Sequence, residues 1–242
     1  MHTPRHDKNI ELKRQLAQKK ARKVVLAQTQ DSGQTLLANT RGGYRNLSIN
    51  EKAVIEDGKI ITDPVIMTNK KNCQYMVKLA VGCSDQKQEF LFILDTGSTT
   101  ILLIGQDCKS TGCLEHNIYK QSPQCSFKFQ STLSNQDPNE VSSIHYGMGM
   151  VKFKTNVDDF HFNDFVIENQ PFAEVVSQDQ VFDGAYYDGL IGFGYPGLGT
   201  QNGIVPVFDN IMKSGKLKHN AFCLFVSRLG SSHSKFFLGG CP

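Results

Sequence analysis

Asp95-Thr96-Gly97-Ser98 follows directly on the apolar run Phe90-Leu91-Phe92-Ile93-Leu94. Five apolar residues closed by a turn signal read as a buried strand. A carboxylate at the end of such a strand loses part of its hydration, and neighbouring donors must replace it. The hydroxyls of Thr96 and Ser98 can donate, and Gly97 accepts backbone angles that other residues resist. Two readings stand on these residues alone. One is a carboxylate held for acid–base work on water. The other is an ordinary strand followed by a polar turn. A second Asp-x-Gly, Asp31-Ser32-Gly33, follows Gln28-Thr29-Gln30 and not an apolar strand, so it reads as a plain turn.

Further motifs lie downstream in a fixed order. Tyr146-Gly147-Met148-Gly149 comes first, then Tyr187-Asp188-Gly189-Leu190-Ile191-Gly192-Phe193-Gly194-Tyr195-Pro196, then Pro206-Val207-Phe208-Asp209-Asn210-Ile211. From about Gln74 to Gly240 the chain resembles the N-terminal lobe of the pepsin-like aspartic endopeptidases (peptidase A1). The resemblance implies an all-β lobe, a half-barrel or β-sandwich with short helices, and peptide-bond hydrolysis at acid pH. It makes Asp95 one of two catalytic carboxylates, with Thr96, Gly97 and Ser98 supporting the active turn. In that scheme Ser98 hydrogen-bonds the Asp95 carboxylate and Thr96 points toward the opposite lobe. Tyr146, Gly147 and Gly149 match the flap, the hairpin that closes over substrate. Asp188-Gly189-Leu190-Ile191-Gly192 matches a structural segment behind the active turn, so Asp188 is not the second acid. Cys108 and Cys113 match the family's small disulfide loop. Two departures stand out. Leu102 occupies the place of a flap-supporting Trp, and Met148 and Met150 replace small hydroxylated residues.

The sequence holds one strand-borne Asp-Thr-Gly, whereas the chemistry uses two. Only 147 residues follow Asp95, and the family spaces its two motifs more widely. The expectation is a partial form of an aspartic endopeptidase whose second lobe is missing, with Asp95 on an exposed apolar face. The alternatives are a single-lobe protease that pairs two copies and a non-catalytic lobe that binds peptides. The expected partner is a peptide or protein substrate, together with a C-terminal lobe or a second copy. No cofactor is expected.

Composition and charge narrow the rest. The 242 residues are 39% hydrophobic, with 21 glycines and no Trp. Many short apolar runs between Gly, Asn, Asp and Ser favour β structure. No apolar stretch is long enough to span a membrane as a helix. Residues 1–23 carry eight Lys or Arg against Asp7 and Glu11, a net +6; the whole chain is +3, which leaves −3 for residues 24–242. Residues 1–72 are therefore read as a basic arm and linker, weakly helical to residue 27, and residues 73–242 as the lobe. By resemblance the arm is a prosegment lying on the active cleft; a solvated tail fits the same composition. Nucleic-acid binding is disfavoured, because no aromatic residues interleave the arm's charges. The family implies the secretory pathway, a vacuole or lysosome, or the exterior, although no signal peptide is visible after Met1.

Seven cysteines fit an oxidising compartment. Cys223 and Cys241 flank Ser231-Ser232 almost symmetrically, so a hairpin there would set them opposite each other. Cys73, Cys83 and Cys125 are an odd set whose pairing stays open. Cys108 and Cys113 could alternatively begin a zinc site, but no second ligand pair follows at metal spacing, and no metal is expected. Residues 204–216 are the best helix, with Val207, Ile211 and Met212 on one face. Phe222 to Phe237 reads as a closing hairpin.

Overall fold

The computed structural model describes residues 59–83, 86–125, 133, 137–147, 149–198, 203–228 and 233–241, together with the backbone of four short strands between residues 23 and 56. The Asp31 turn, residues 1–22 of the basic arm, Met148 and the Ser231-Ser232 turn lie outside the described residues. The chain divides into two compact units. One comprises residues 1–64, 215–227 and 234–242; the other comprises 65–214 and 228–233.

In the first unit the early strands are β1 (Lys23–Thr29), β2 (Thr35–Ala38), β3 (Tyr44–Leu47), β4 (Val54–Glu56) and β5 (Lys59–Ile61). The strands of the second unit are β6 (Val65–Lys70), β7 (Gln74–Val81), β8 (Gln88–Asp95), β9 (Ile101–Ile104), β10 (Val141–Tyr146), β11 (Gly149–Phe162), β12 (Phe165–Gln178) and β13 (Gly189–Gly192). Its helix is α1 (Val207–Lys213). The first unit closes with β14 (Ala221–Val226) and β15 (Ser234–Leu238).

The second unit is a sheet in the order β10-β11-β12-β9-β13-β8-β7-β6. Its architecture is the all-β lobe that the sequence implies. β8 lies between antiparallel β7 and parallel β13. This interior position holds the end of β8 firmly, because both its edges are hydrogen-bonded. Phe90 and Phe92 of β8 are buried, whereas Leu91, Ile93 and Leu94 are half-buried, so the run alternates instead of burying both faces. Behind it stands an aromatic core. Phe92 packs on Phe160 at 6.0 Å, Phe160 on Phe172 at 5.5 Å, and Phe172 edge-on to Tyr119 at 5.3 Å. All four rings are fully buried. Each contributes about 1.5–3 kcal/mol of burial. The Tyr119 hydroxyl donates to buried Asp158 Oδ2 at 2.7 Å, which pairs its one polar atom.

The long β11–β12 hairpin pairs over most of its length, with register shifts at Lys152/Phe153 and Asp158/Phe160. Past the second shift, β11 also pairs with β7 through Phe160 and His161. Helix α1 is shorter than residues 204–216. Its buried face is Val207, Phe208 and Ile211, and Met212 is only half-buried, because Phe208 takes the place in the core.

Two expectations about the N-terminal segment change. Lys23–Thr29 is extended and pairs parallel with β14, so the helical reading fails where the arm is described. Long-range backbone pairing overrides its local preference. Val65–Lys70 pairs with β7 and buries Val65 and Met67, so it is sheet and not linker. In the first unit, β14 and β15 form the expected antiparallel hairpin.

Candidate active site

Asp95 ends β8 half-buried, while Thr96 and Gly97 are exposed at the surface. The Asp95 Oδ1 atom accepts the Gly97 main-chain N–H at 2.8 Å. An amide two residues on thus supplies the donor that replaces lost hydration. The hydroxyl expected to do this, that of Ser98, is buried with no hydrogen-bond partner among the described residues.

Behind the turn runs β13. Gly192 is in register with Asp95, Phe193 N–H donates to the Asp95 carbonyl at 2.7 Å, and Gly194 N–H donates to the Ser98 carbonyl at 2.7 Å. The approach is too close for side chains. A Cβ on Gly192 would stand 2.7 Å from Ser98 O, Thr100 N and Thr99 C. Apolar Tyr195 and Leu198 are exposed on the same connection, and a Cβ on Gly194 would lie 2.8 Å from Leu198 Cδ1. The surface next to the active turn is therefore partly apolar.

Asp188, immediately before β13, faces a different task. It is buried, and its carboxylate accepts N–H groups from Leu91 (2.8 Å) and from Asn117 main chain (2.9 Å) and side chain (3.1 Å). Its own N–H donates to Leu91 O at 2.7 Å. These bonds tie β8 and the Asn117 loop to the residue that precedes β13, which is a structural role.

Tyr146 is the last residue of β10 and pairs with Gly149, with Gly147 exposed at the tip of the hairpin. Its ring meets Phe182 edge-on at 6.5 Å. Burial first, then the charge of Asp95, pushes the Tyr146 phenol up to about 12. Tyr187 is pushed up by the same two causes in the same order. Both phenols therefore sit within the field of Asp95. Between them opens a largely apolar pocket walled by Leu102, Tyr146, Val151, Phe182, Tyr187 and Leu190. His116 and Asp188 also line it. The arrangement can receive an apolar side chain between two phenols that feel the charge of Asp95.

Cys108 and Cys113 are bonded around a 3₁₀ turn, Thr111–Glu115. Cys223 and Cys241 are bonded as well, though not as residues opposite each other in a hairpin. The register sets Cys223 against Phe237, and Gly239 and Gly240, at φ +91° and +132°, turn the chain back to bring Cys241 to it. Cys83 pairs with Cys125, and Cys73 is a free, exposed thiol. Asp158 lies near the Cys83 and Cys125 sulfurs, but those sulfurs are bonded to each other.

Tyr187, Phe182 and His116 were not singled out from sequence as site residues. Tyr187 carried a signal, since it immediately precedes Asp188-Gly189; the other two arrive through loops that give none.

The described geometry can be set beside known proteins. A family model described as "Eukaryotic aspartyl protease" matches residues 74–242. Aspartic protease 3 of Toxoplasma gondii is 28% identical over 190 residues, covering 76% of this chain and 28% of that protein. Embryonic pepsinogen of Gallus gallus is 31% identical over 170 residues, covering 70% and 41%. Vacuolar protease A of Aspergillus fumigatus is 31% identical over 163 residues, covering 67% and 38%. The chain thus spans less than half the length of each of these relatives.

Proposed function

The chain belongs to the eukaryotic aspartyl protease family, and from that premise we propose that it contributes one half of an acid endopeptidase's active site, the half carrying Asp95. The observation that carries this reading is the joint placement of Asp95 and Tyr146. A carboxylate at the end of an interior strand is backed by glycine, and a hairpin tyrosine lies within its field.

Peptide hydrolysis by this chemistry needs a second carboxylate close to Asp95. Two such groups cannot both ionise cheaply, so they hold one proton between them. The ionised member takes a proton from water. That water attacks the scissile carbonyl, and the protonated member polarises it. No covalent intermediate forms. In this reading the second carboxylate comes from outside residues 73–242, from a C-terminal lobe or a second copy. Thr96 faces that partner, Tyr146 with Gly147 and Gly149 closes over the peptide, and the substrate is a peptide or protein. The basic residues ahead of Val65 act as a prosegment, and a relative named a pepsinogen supports the zymogen reading. A relative named a vacuolar protease and the three disulfides support an oxidising, secretory-pathway setting.

The test is cleavage of a denatured protein at acid pH, with Asp95→Asn as control and sedimentation to define the active species. Peptide-bond cleavage lost in D95N supports the reading. Cleavage that survives the substitution overturns it.

A further inference from the structure

Lys70 and Lys71 lie at the turn between β6 and β7, and both are exposed. Adjacent residues of an extended strand point to opposite faces. Here both ammoniums converge on one ring. Lys70 Nζ stands 4.9 Å and Lys71 Nζ 5.7 Å from the centre of Tyr186. The turn makes this possible: Lys71 and Asn72 are left-handed, at φ 55° and 57°, which takes Lys71 out of the strand's alternation. Cys73 N–H donates to the Lys70 carbonyl at 3.2 Å and Asn72 N–H to Asn69 Oδ1 at 3.0 Å, so the tip is held. The Tyr186 ring attracts both cations through its π face but does not neutralise them. Neither lysine is ion-paired with a carboxylate among the described residues. Two like charges gathered without a counter-charge repel each other, and an anion arriving there is attracted by both.

We propose that Lys70 and Lys71, seated on Tyr186, are specificity-determining residues that recognise an acidic stretch of peptide. Their place follows from the neighbours of Tyr186. Ala185 and Tyr187 line the pocket, and Tyr186 between them is 47% exposed. The charged site therefore adjoins the pocket wall on its solvent side, and residues flanking a side chain held in the pocket pass close to it. The charge of the surroundings sharpens the choice. Residues 24–242 sum to −3, so the body as a whole repels an acidic chain and this spot attracts it. A glutamate carboxylate accepts from the ammoniums, the glutamine amide of the same shape lacks the charge, and a lysine is repelled. The site therefore separates acidic residues from their amides, which shape alone cannot do.

Calling that peptide a substrate rests on the proteolytic reading; the preference of the site for acid over amide does not. The test uses the whole chain with two blocked peptides, triglutamate and triglutamine, titrated by NMR at about pH 6, where a glutamate is ionised. Triglutamate is expected to bind roughly fivefold tighter, to shift the amide resonances of Lys70, Lys71 and Tyr186, and to lose its advantage as salt is raised. The double substitution Lys70→Gln, Lys71→Gln should erase the difference between the peptides. Tyr186→Leu, which leaves both charges in place, should reduce it. Lys78→Gln removes another exposed lysine, one already paired with Glu89, and should leave it unchanged. Equal affinities in the unmodified chain, a preference that survives K70Q/K71Q or Y186L intact, or an equal loss in K78Q would each overturn the assignment. Inorganic phosphate that shifts the same resonances as strongly as triglutamate would make this a small-anion site and overturn the peptide assignment. No measurement here requires peptide cleavage, so failure of the protease assay and failure of this site are told apart.

Discussion

Gly192 lies beside Asp95 in the parallel ladder, at a distance from Ser98 and Thr100 that admits a hydrogen and no more. The position of the carboxylate is thus set by the absence of a side chain on the neighbouring strand. Backbone, not a flexible side-chain tip, occupies the space, so it cannot yield locally. Gly192→Ala should cost roughly 1–3 kcal/mol or more in urea unfolding and displace the Asp95 turn. Gly147→Ala is the contrast. Nothing lies within 4 Å of its added Cβ, and the change should be near neutral in stability. Equal losses in the two variants would show that close approach at Gly192 does not hold the turn.

Asp188 and Asp95 should respond in opposite ways to the same substitution. Asp188→Asn puts an amide where three N–H donors converge, so one donor must lose its acceptor. Roughly 1–3 kcal/mol of stability should be lost, read as a lowered thermal midpoint. Asp95→Asn removes a half-buried carboxylate that accepts the Gly97 N–H, and an amide oxygen can accept it equally. Its stability should stay close to the parent while any peptidase activity disappears. A D188N protein as stable as the parent would remove the structural assignment of Asp188.

The disulfides should differ in weight by the loops they close. Cys83–Cys125 spans 42 positions and Cys108–Cys113 spans 5. Chain-entropy reasoning gives about 4 kcal/mol for the longer loop and about 2 kcal/mol for the shorter. Paired Cys→Ser variants, compared by chemical denaturation, should rank in that order.

Glu174 gives the lobe a pH dependence of definite sign. Burial raises its carboxyl above the usual range; the Asn156 amide at 2.8 Å pulls it back, Asp107 adds to the rise, and Lys154 opposes it. A carboxyl raised on folding binds its proton more tightly in the native state. Its contribution is therefore fully present below the unfolded value and is lost as pH rises through the folded one. The lobe should be more stable in acid than at neutral pH by this group. Glu174→Gln should flatten the melting temperature against pH between those limits. A slope unchanged by E174Q would assign the effect to other groups.

What was legible in the sequence was local. Phe90 to Ser98 declared a strand and its turn because apolar residues, a glycine and hydroxyls follow one another directly. Asp188 to Gly194 was readable for the same reason, and glycine at 192 and 194 is explained by the backbone that crosses there. What was not legible depended on distance along the chain. Lys23–Thr29 takes its strand form from β14, nearly two hundred positions away. Val65–Lys70 was hidden because its hairpin turns on Lys71 and Asn72, at φ 55° and 57°, where glycine is the usual signal. Reciprocal bonds between the side chain of Asn69 and both the backbone and side chain of Asn72 hold that turn instead. The Cys83–Cys125 pair and the His116 wall of the pocket were equally out of reach, since only the folded chain brings them together.

Tyr146 offers a direct reading of whether the hairpin faces Asp95. Burial accounts for most of the rise of its phenol to about 12, and the charge of Asp95 for the next share. Negative charge near a phenol disfavours the phenolate, so neutralising Asp95 must ease its ionisation. In Asp95→Asn the Tyr146 phenol should titrate lower than in the parent, yet remain above an ordinary tyrosine because burial persists. Tyr187 should move in the same direction. Tyr119, whose phenol is held up by burial and Asp158, should not move and serves as the internal reference. Ring-labelled tyrosine followed by NMR through the alkaline range measures all three. A Tyr146 titration identical in parent and D95N would separate the hairpin from the carboxylate, and with it the role proposed for the flap.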